Sequence, residues 1–298
     1  MTAMPGTGEL PLAKRRRGIT RGRSFKIGAV VSGVLGTAWA AIAVAPLYFL
    51  VLGSLRGEGA YLTANPWWPS GGVTLLNYRV ALNGIGTALM NSVIVTVSVC
   101  ALVVLLSVPA AYAIVRGRGK GIRLCYILFL AGLAIPIEGT IVSVFIIVIH
   151  LHLYNSLAGI IVPTAAFAIA LAVLILVAFL RDVPSELYEA MDLDGAGKLQ
   201  LLRSLVFPMA RPPLLGIGVF VALSSWNSLL LPLVTTTSNS QAVLPVALLR
   251  LESSNGADYP AILASVVWSA IPIIVLYLVG RRQLIGGLVI GSSGNLGR

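Results

Sequence analysis

Six long apolar runs, separated by shorter polar segments, dominate the pattern along the chain: Ile27–Leu52, Leu89–Val115, Leu124–Ile149, Leu157–Leu180, Leu214–Val234 and Ala261–Val279. A helix needs about 20 mostly apolar residues to cross a bilayer, and each run meets that length. The pattern predicts an all-α membrane protein with six transmembrane helices and both termini on one side. Pro46, Pro109, Pro136, Pro163 and Pro272 fall within the runs. Membrane helices tolerate such breakers where neighbours satisfy the freed backbone groups.

Composition strengthens that picture. Hydrophobic residues make up 57% of the chain, charged residues 10%, and the mean hydropathy is +0.94. Soluble domains carry about 25% charged residues. The net charge of +11 does not point to nucleic acid, because the bases form no stripe on one face and accompany no recognition motif. They sit between the apolar runs instead, as in cytoplasmic loops. The segment before the first run holds seven Lys and Arg, the second loop four, the fourth loop four and the C-terminal segment three. Only Arg56, Arg79 and Arg250 fall on the other face. The bias predicts that both termini are cytoplasmic, in a multi-pass protein of the bacterial cytoplasmic membrane.

AVA at Ala43–Ala45 resembles a signal-peptide cleavage site, but the run is longer than a signal core and Pro46 would follow the cut, so it is read as an uncleaved span. Residues 1–26 are rich in Pro, Gly and Arg without apolar periodicity, and are expected to form a disordered basic tail lying against anionic lipid. Residues 27–283 form the expected six-helix domain and 284–298 a C-terminal cytoplasmic tail. Cys100 and Cys125 lack disulfide or metal spacing and read as small apolar packing residues. Trp67 and Trp68 fit either an interfacial belt or a partner contact on the outer face.

Catalytic chemistry finds little support. DGAGKL at Asp194–Leu199 resembles a phosphate loop, yet Asp192 stands where its first glycine belongs and Leu199 replaces its hydroxyl residue. His150 and His152 have no nearby Cys or carboxylate to complete a metal shell. Glu138, within AIPIEGTIV, is the one charge inside a span. An intramembrane carboxylate either faces a polar cavity or pairs across helices, or else sits near the wet end of a distorted helix, and the sequence leaves these open.

Five of the ten acidic residues, Asp182, Glu186, Glu189, Asp192 and Asp194, crowd into the polar loop at residues 181–213. Pro184 suits a helix's first turn and Gly195 a left-handed stop. Two short helices are therefore expected, Pro184–Asp194 and Lys198–Phe207. Leu187, Ala190, Met191 and Asp194 align at i, i+3, i+4 and i+7 on the first. A helix stop and an apolar face favour a protein-docking element over a mere connector.

The sequence EAMDLDG at Glu189–Gly195, followed by VFP at Val206–Pro208, resembles the EAA loop of the membrane subunits of bacterial ABC importers. NYRVAL at Asn77, MNSVIV at Met90, AAYAIVR at Ala110, VPSELYEAM at Val183, SSWNSLLLPL at Ser224, LPVAL at Leu244 and RRQLIGGL at Arg281 are similar to the MalG-like carbohydrate-uptake branch. The resemblance implies a type I importer permease fold in which the loop is a coupling helix. Glu186, Leu187, Glu189, Ala190, Met191, Asp194 and Gly195 would then dock on a cytoplasmic ATPase, with Glu189 paired to a base of that subunit. It further implies a second related permease, two ATPase subunits, an extracytoplasmic binding protein and a sugar substrate. No cofactor is expected in this chain, because ATP and magnesium would be bound by the partner ATPase. Met191 departs from the second alanine of EAA, Gly197 from a common hydroxyl residue, and the ending LVIGSSGNLGR from the family's usual tail. For the substrate pathway the candidates are Asn91, Glu138, Trp226 and Asn227. Helix packing accounts for such polar residues equally well. A non-sugar ABC permease, an ATPase-independent secondary transporter and a membrane-embedded enzyme are the alternatives. The second predicts paired broken helices in inverted repeats, and the third paired catalytic residues.

Overall fold

The computed structural model describes residues 24–252 and 258–293, with side chains over 28–252 and 258–278. It divides into two units, residues 1–48 and 49–298. Thirteen α-helices occur among the described residues: α1 Ser24–Ser54, α2 Glu58–Tyr61, α3 Leu76–Arg116, α4 Lys120–Leu133, α5 Ile141–His150, α6 Ala158–Arg181, α7 Ser185–Leu193, α8 Lys198–Leu201, α9 Phe207–Met209, α10 Arg211–Trp226, α11 Leu230–Thr235, α12 Leu244–Glu252 and α13 Tyr259–Ser293. The expected basic tail lies outside the described residues except where 24–26 begin α1. At the other end α13 continues to Ser293, ten residues past the expected start of the C-terminal tail.

In the first unit α1 is apolar around its whole circumference, and Val34, Leu35, Trp39 and Ile42 are all exposed. That is the surface of a helix whose surroundings are lipid or another membrane helix.

The second unit is organised around α3. Val95, Val99, Val103, Val108 and Ala111 of α3 pack against Ala165, Ala172, Val173, Leu176 and Leu180 of α6. Residues 95, 99 and 103 of the first set and 173, 176 and 180 of the second recur at three- to four-residue intervals, so each helix turns one stripe inward. The stripes consist largely of Ala and Val. In lipid, apolar burial no longer drives helices together, and small side chains stabilise the pair by letting the backbones approach. Leu214, Ile217 and Val221 of α10 close the same cluster. A smaller cluster joins Ile85, Trp226 and Leu244 with Trp268 of α13.

Four described helices are long and apolar enough to cross a membrane, and six spans result if each of two bent pairs is one crossing. One of the bends falls at a breaker named from the sequence. The third run is broken at Pro136, where Lys120–Leu133 and Glu138–His150 meet at 94°. The fifth run ends its long helix at Trp226 and resumes at Leu230. A further bend of 75° separates Lys198–Met209 from Arg211–Trp226. A π-helical turn at Leu202–Val206 precedes that bend. In a regular helix the ring of Pro208 would meet the Ser204 carbonyl, and a widened turn relieves the clash.

Polar side chains fasten the connections between spans. Asn77 donates its side-chain amide to the carbonyls of Ser54 (2.8 Å) and Arg56 (2.6 Å). Arg56, buried itself, donates to the carbonyls of Asn65 and Trp68. Asn155, left-handed at φ 54°, accepts the Thr237 and Ser238 backbone N–H groups and the Ser238 hydroxyl at 2.9–3.0 Å. These bonds satisfy backbone groups that would otherwise be costly to bury.

Candidate functional site

Two regions bring the predicted residues together. The first is the loop at 181–213. Helix α7 starts at Ser185 with Pro184 as its N-cap, and Glu186 lies in its first turn, where the positive end of the helix dipole favours a carboxylate. It stops as expected at Gly195, which adopts φ 75°. The Ala196 N–H bonds the Met191 carbonyl at 3.0 Å and the Gly195 N–H bonds that of Asp192 at 3.1 Å. These are the two bonds of a Schellman stop, and they fix the end of the helix.

The faces of α7 differ from the expected stripe. Glu186, Leu187, Glu189, Ala190 and Asp194 are exposed, whereas Met191 is half-buried against the main core. Met191 therefore faces the body of the protein, and the bulk it adds relative to alanine fills the seat of α7 instead of widening its outer face. The residue that anchors the helix is Tyr188, which the sequence reading missed. It is 2% exposed and belongs to the main core. The Arg116 guanidinium, at the C-terminal end of α3, lies 4.7 Å from its ring centre, and the Tyr112 ring centre is at 6.2 Å. Stacking of this kind contributes about 0.5–2 kcal/mol. Burial pushes the Tyr188 phenol above its ordinary range, with Arg116 pulling it back and Tyr112 adding to the rise. Arg181, ending α6, stacks similarly at 5.3 Å over Tyr126 of α4.

With Tyr188 and Met191 inside, α7 presents outward an acidic rim around apolar residues. Leu193, 89% exposed, and Leu199, 78% exposed, extend that apolar surface. Leu199 lies on the apolar face expected of the second short helix, whereas Leu193 falls off the i, i+3, i+4 stripe of the first and escaped the sequence reading. An apolar centre ringed by carboxylates suits a basic protein groove.

The second region is a cavity of about 580 Å³ lined by the two helix breaks. Leu133, Ile135, Ile137 and Glu138 come from the break around Pro136, and Asn227, Ser228 and Leu229 from the break after α10. Irregular backbone at membrane depth is tolerated where it lines a cavity, so the two breaks and the cavity explain one another. Glu138 and Asn227, distant in sequence, thus share one wall system with Ser224 and Thr164. Asn227 donates its amide to the Leu223 carbonyl at 2.8 Å, capping α10. The Thr164 hydroxyl is buried without a hydrogen-bond partner.

Asn91 and Trp226 lie elsewhere. Asn91 donates to the carbonyls of Ser240 and Ala242, both at 2.9 Å, and its neighbour Ser92 accepts the Leu244 N–H at 2.8 Å. Together they tie the loop before α12 to α3. Trp226 is buried against Ile85 and Leu244. Both residues serve packing, and neither lines this cavity.

Several membrane-length helices, a cavity between helix breaks and a folded acidic loop give the chain the build of a membrane transport subunit. It belongs to the family of binding-protein-dependent transport system inner membrane components, whose match spans residues 103–283. It is 32% identical over 268 residues to the diacetylchitobiose uptake system permease protein NgcG of Streptomyces coelicolor, covering 89% of this chain and 88% of that protein. It is 33% identical to the trehalose transport system permease protein SugB of Mycobacterium tuberculosis, covering 74% and 82%. A bacterial ABC transporter chain from the import system for the acidic polysaccharide alginate superposes with a TM-score of 0.79 at 22% identity, covering 88% of this chain and 98% of that one. The fold is therefore that of a type I ABC importer permease, a multi-pass component of the inner membrane that works with an ATPase and a substrate-binding protein.

Proposed function

We propose that this chain is the MalG-like permease of a sugar importer, pairing with a second, related permease and two ATPase subunits. Its termini are cytoplasmic, its binding protein works on the outer face, and ATP and magnesium are bound by the ATPase rather than by this chain. The observation that carries the reading is the outward face of α7, where Glu186, Glu189 and Asp194 surround Leu187 and Ala190 while Tyr188 holds the helix from within. Such a helix transmits push and pull only if its inner face is fixed and its outer face is free. The named relatives for diacetylchitobiose and trehalose support a mono- or oligosaccharide as substrate.

Uptake of a labelled sugar panel by a deletion strain, with and without the cognate binding protein, tests the substrate class. Uptake driven by ATP, and insensitive to collapse of proton and sodium gradients, is the expected result; gradient-driven uptake would rule out the importer reading. Glu189→Lys is expected to abolish uptake and release the ATPase in co-purification. Unchanged uptake with the ATPase still bound would remove Glu189 from the docking role.

A further inference from the structure

The cavity between the helix breaks has an uneven chemistry. Its walls are largely apolar, and the polar side chains on them are Glu138, Thr164, Ser224, Asn227 and Ser228. Four of these five are neutral hydrogen-bonding groups of the kind that pair with hydroxyls. The fifth is a carboxylate, and no lining residue is Lys, Arg or His. A single fixed charge on largely apolar walls sets the sign of the potential that an entering solute meets, even where water partly screens it. The Thr164 hydroxyl is buried in this wall without a hydrogen-bond partner and adds no charge to it.

We infer that Glu138 makes this cavity selective by charge, accepting neutral or cationic hydroxyl-rich solutes and rejecting acidic ones. The solute's being a sugar rests on the function proposed above; the charge selection does not. A carboxylate within several ångströms of an entering anion repels it and attracts a cation of the same size, and partial screening leaves a discrimination of about tenfold or more. The direct hydrogen bonds from Asn227, Ser224 and Ser228 then add recognition for a solute without formal charge.

The test uses the full-length chain with its transport partners in host membranes. Cys100 and Cys125 are replaced by Ala, and Ser228→Cys places one thiol on the cavity wall. Its modification rates by trimethylammonium-ethyl and sulfonato-ethyl methanethiosulfonate are measured, each divided by the rate with free 2-mercaptoethanol. The expected ratio favours the cationic reagent by about tenfold. Adding Glu138→Gln should bring the ratio to within about twofold of unity, and Glu138→Asp should preserve it. Equal normalised rates with Glu138 present, or a cationic preference that survives Glu138→Gln, would overturn the inference. So would a thiol that neither reagent reaches, since the cavity would then admit no solute of that size. The assay needs neither sugar nor ATP. A charge preference in a chain that imports no sugar would therefore remove the sugar reading and leave the charge selection standing.

Discussion

The seat of α7 and the cavity at the helix breaks are built on opposite principles within one bundle. At the seat, Tyr188, Leu201 and Val206 are buried to within a few per cent of their surface, and the helix end is closed by two Schellman bonds. At the cavity the helices stop short, Glu138 and Asn227 stay exposed, and a hydroxyl is left without a partner. The first keeps one shape under load. The second leaves polar groups free for something other than the protein, and its polarity is held by few internal bonds. Stability and selectivity are therefore expected to respond to mutation in different places.

The largest effect should come from Tyr188→Ala, which empties the seat. Truncating a buried aromatic costs about 3–5 kcal/mol, and here it also unstacks Arg116. A sharply reduced amount of chain in the membrane fraction is expected, with most of it restored by Tyr188→Phe. Normal levels of the alanine variant would show that α7 is held by something other than its inner face.

Asn91→Leu should follow. It leaves the Ser240 and Ala242 carbonyls without their donor, at about 1–3 kcal/mol, and should lower the melting temperature of the purified complex. A charge-selectivity ratio unchanged at the Ser228→Cys reporter would confirm that Asn91 belongs to the scaffold. A changed ratio would return it to the pathway.

The smallest structural effect is expected at the cavity itself. Ser224→Ala should shift stability by less than about 0.5 kcal/mol, as exposed substitutions do, while lowering sugar uptake. A melting change as large as that of Asn91→Leu would erase the contrast between the two regions.

What the sequence disclosed divides along the same line. The helical class, the membrane setting and both ends of α7 were legible, because apolar run length, the Pro184 start and the Gly195 stop are local signals. Tyr188 was not. Its burial depends on Arg116 and Tyr112, more than 70 positions earlier, and an aromatic between two glutamates reads locally as an exposed residue. The break after Trp226 was hidden for a related reason: SSWNSLLLPL is apolar enough to continue a span, and only the opposing break at Pro136 gives Asn227 a cavity to face. The grouping of Glu138 with Asn227 is likewise a property of two distant breaks, and the placing of Asn91 among scaffold bonds depended on where the Ser240 carbonyl would lie.

Helix α3, 41 residues long, measures about 60 Å at 1.5 Å per residue, roughly twice the hydrocarbon thickness of a bilayer. Near one end Asn77 grips the Ser54–Arg56 connection, and at the other Arg116 covers Tyr188. A rod gripped at both tips behaves as a lever. Rocking it by about 5° around its midpoint displaces each tip by about 2–3 Å in opposite senses. A displacement at the Arg116 end would therefore arrive at the Asn77 end reversed in direction and undiminished in size, carried by a single element.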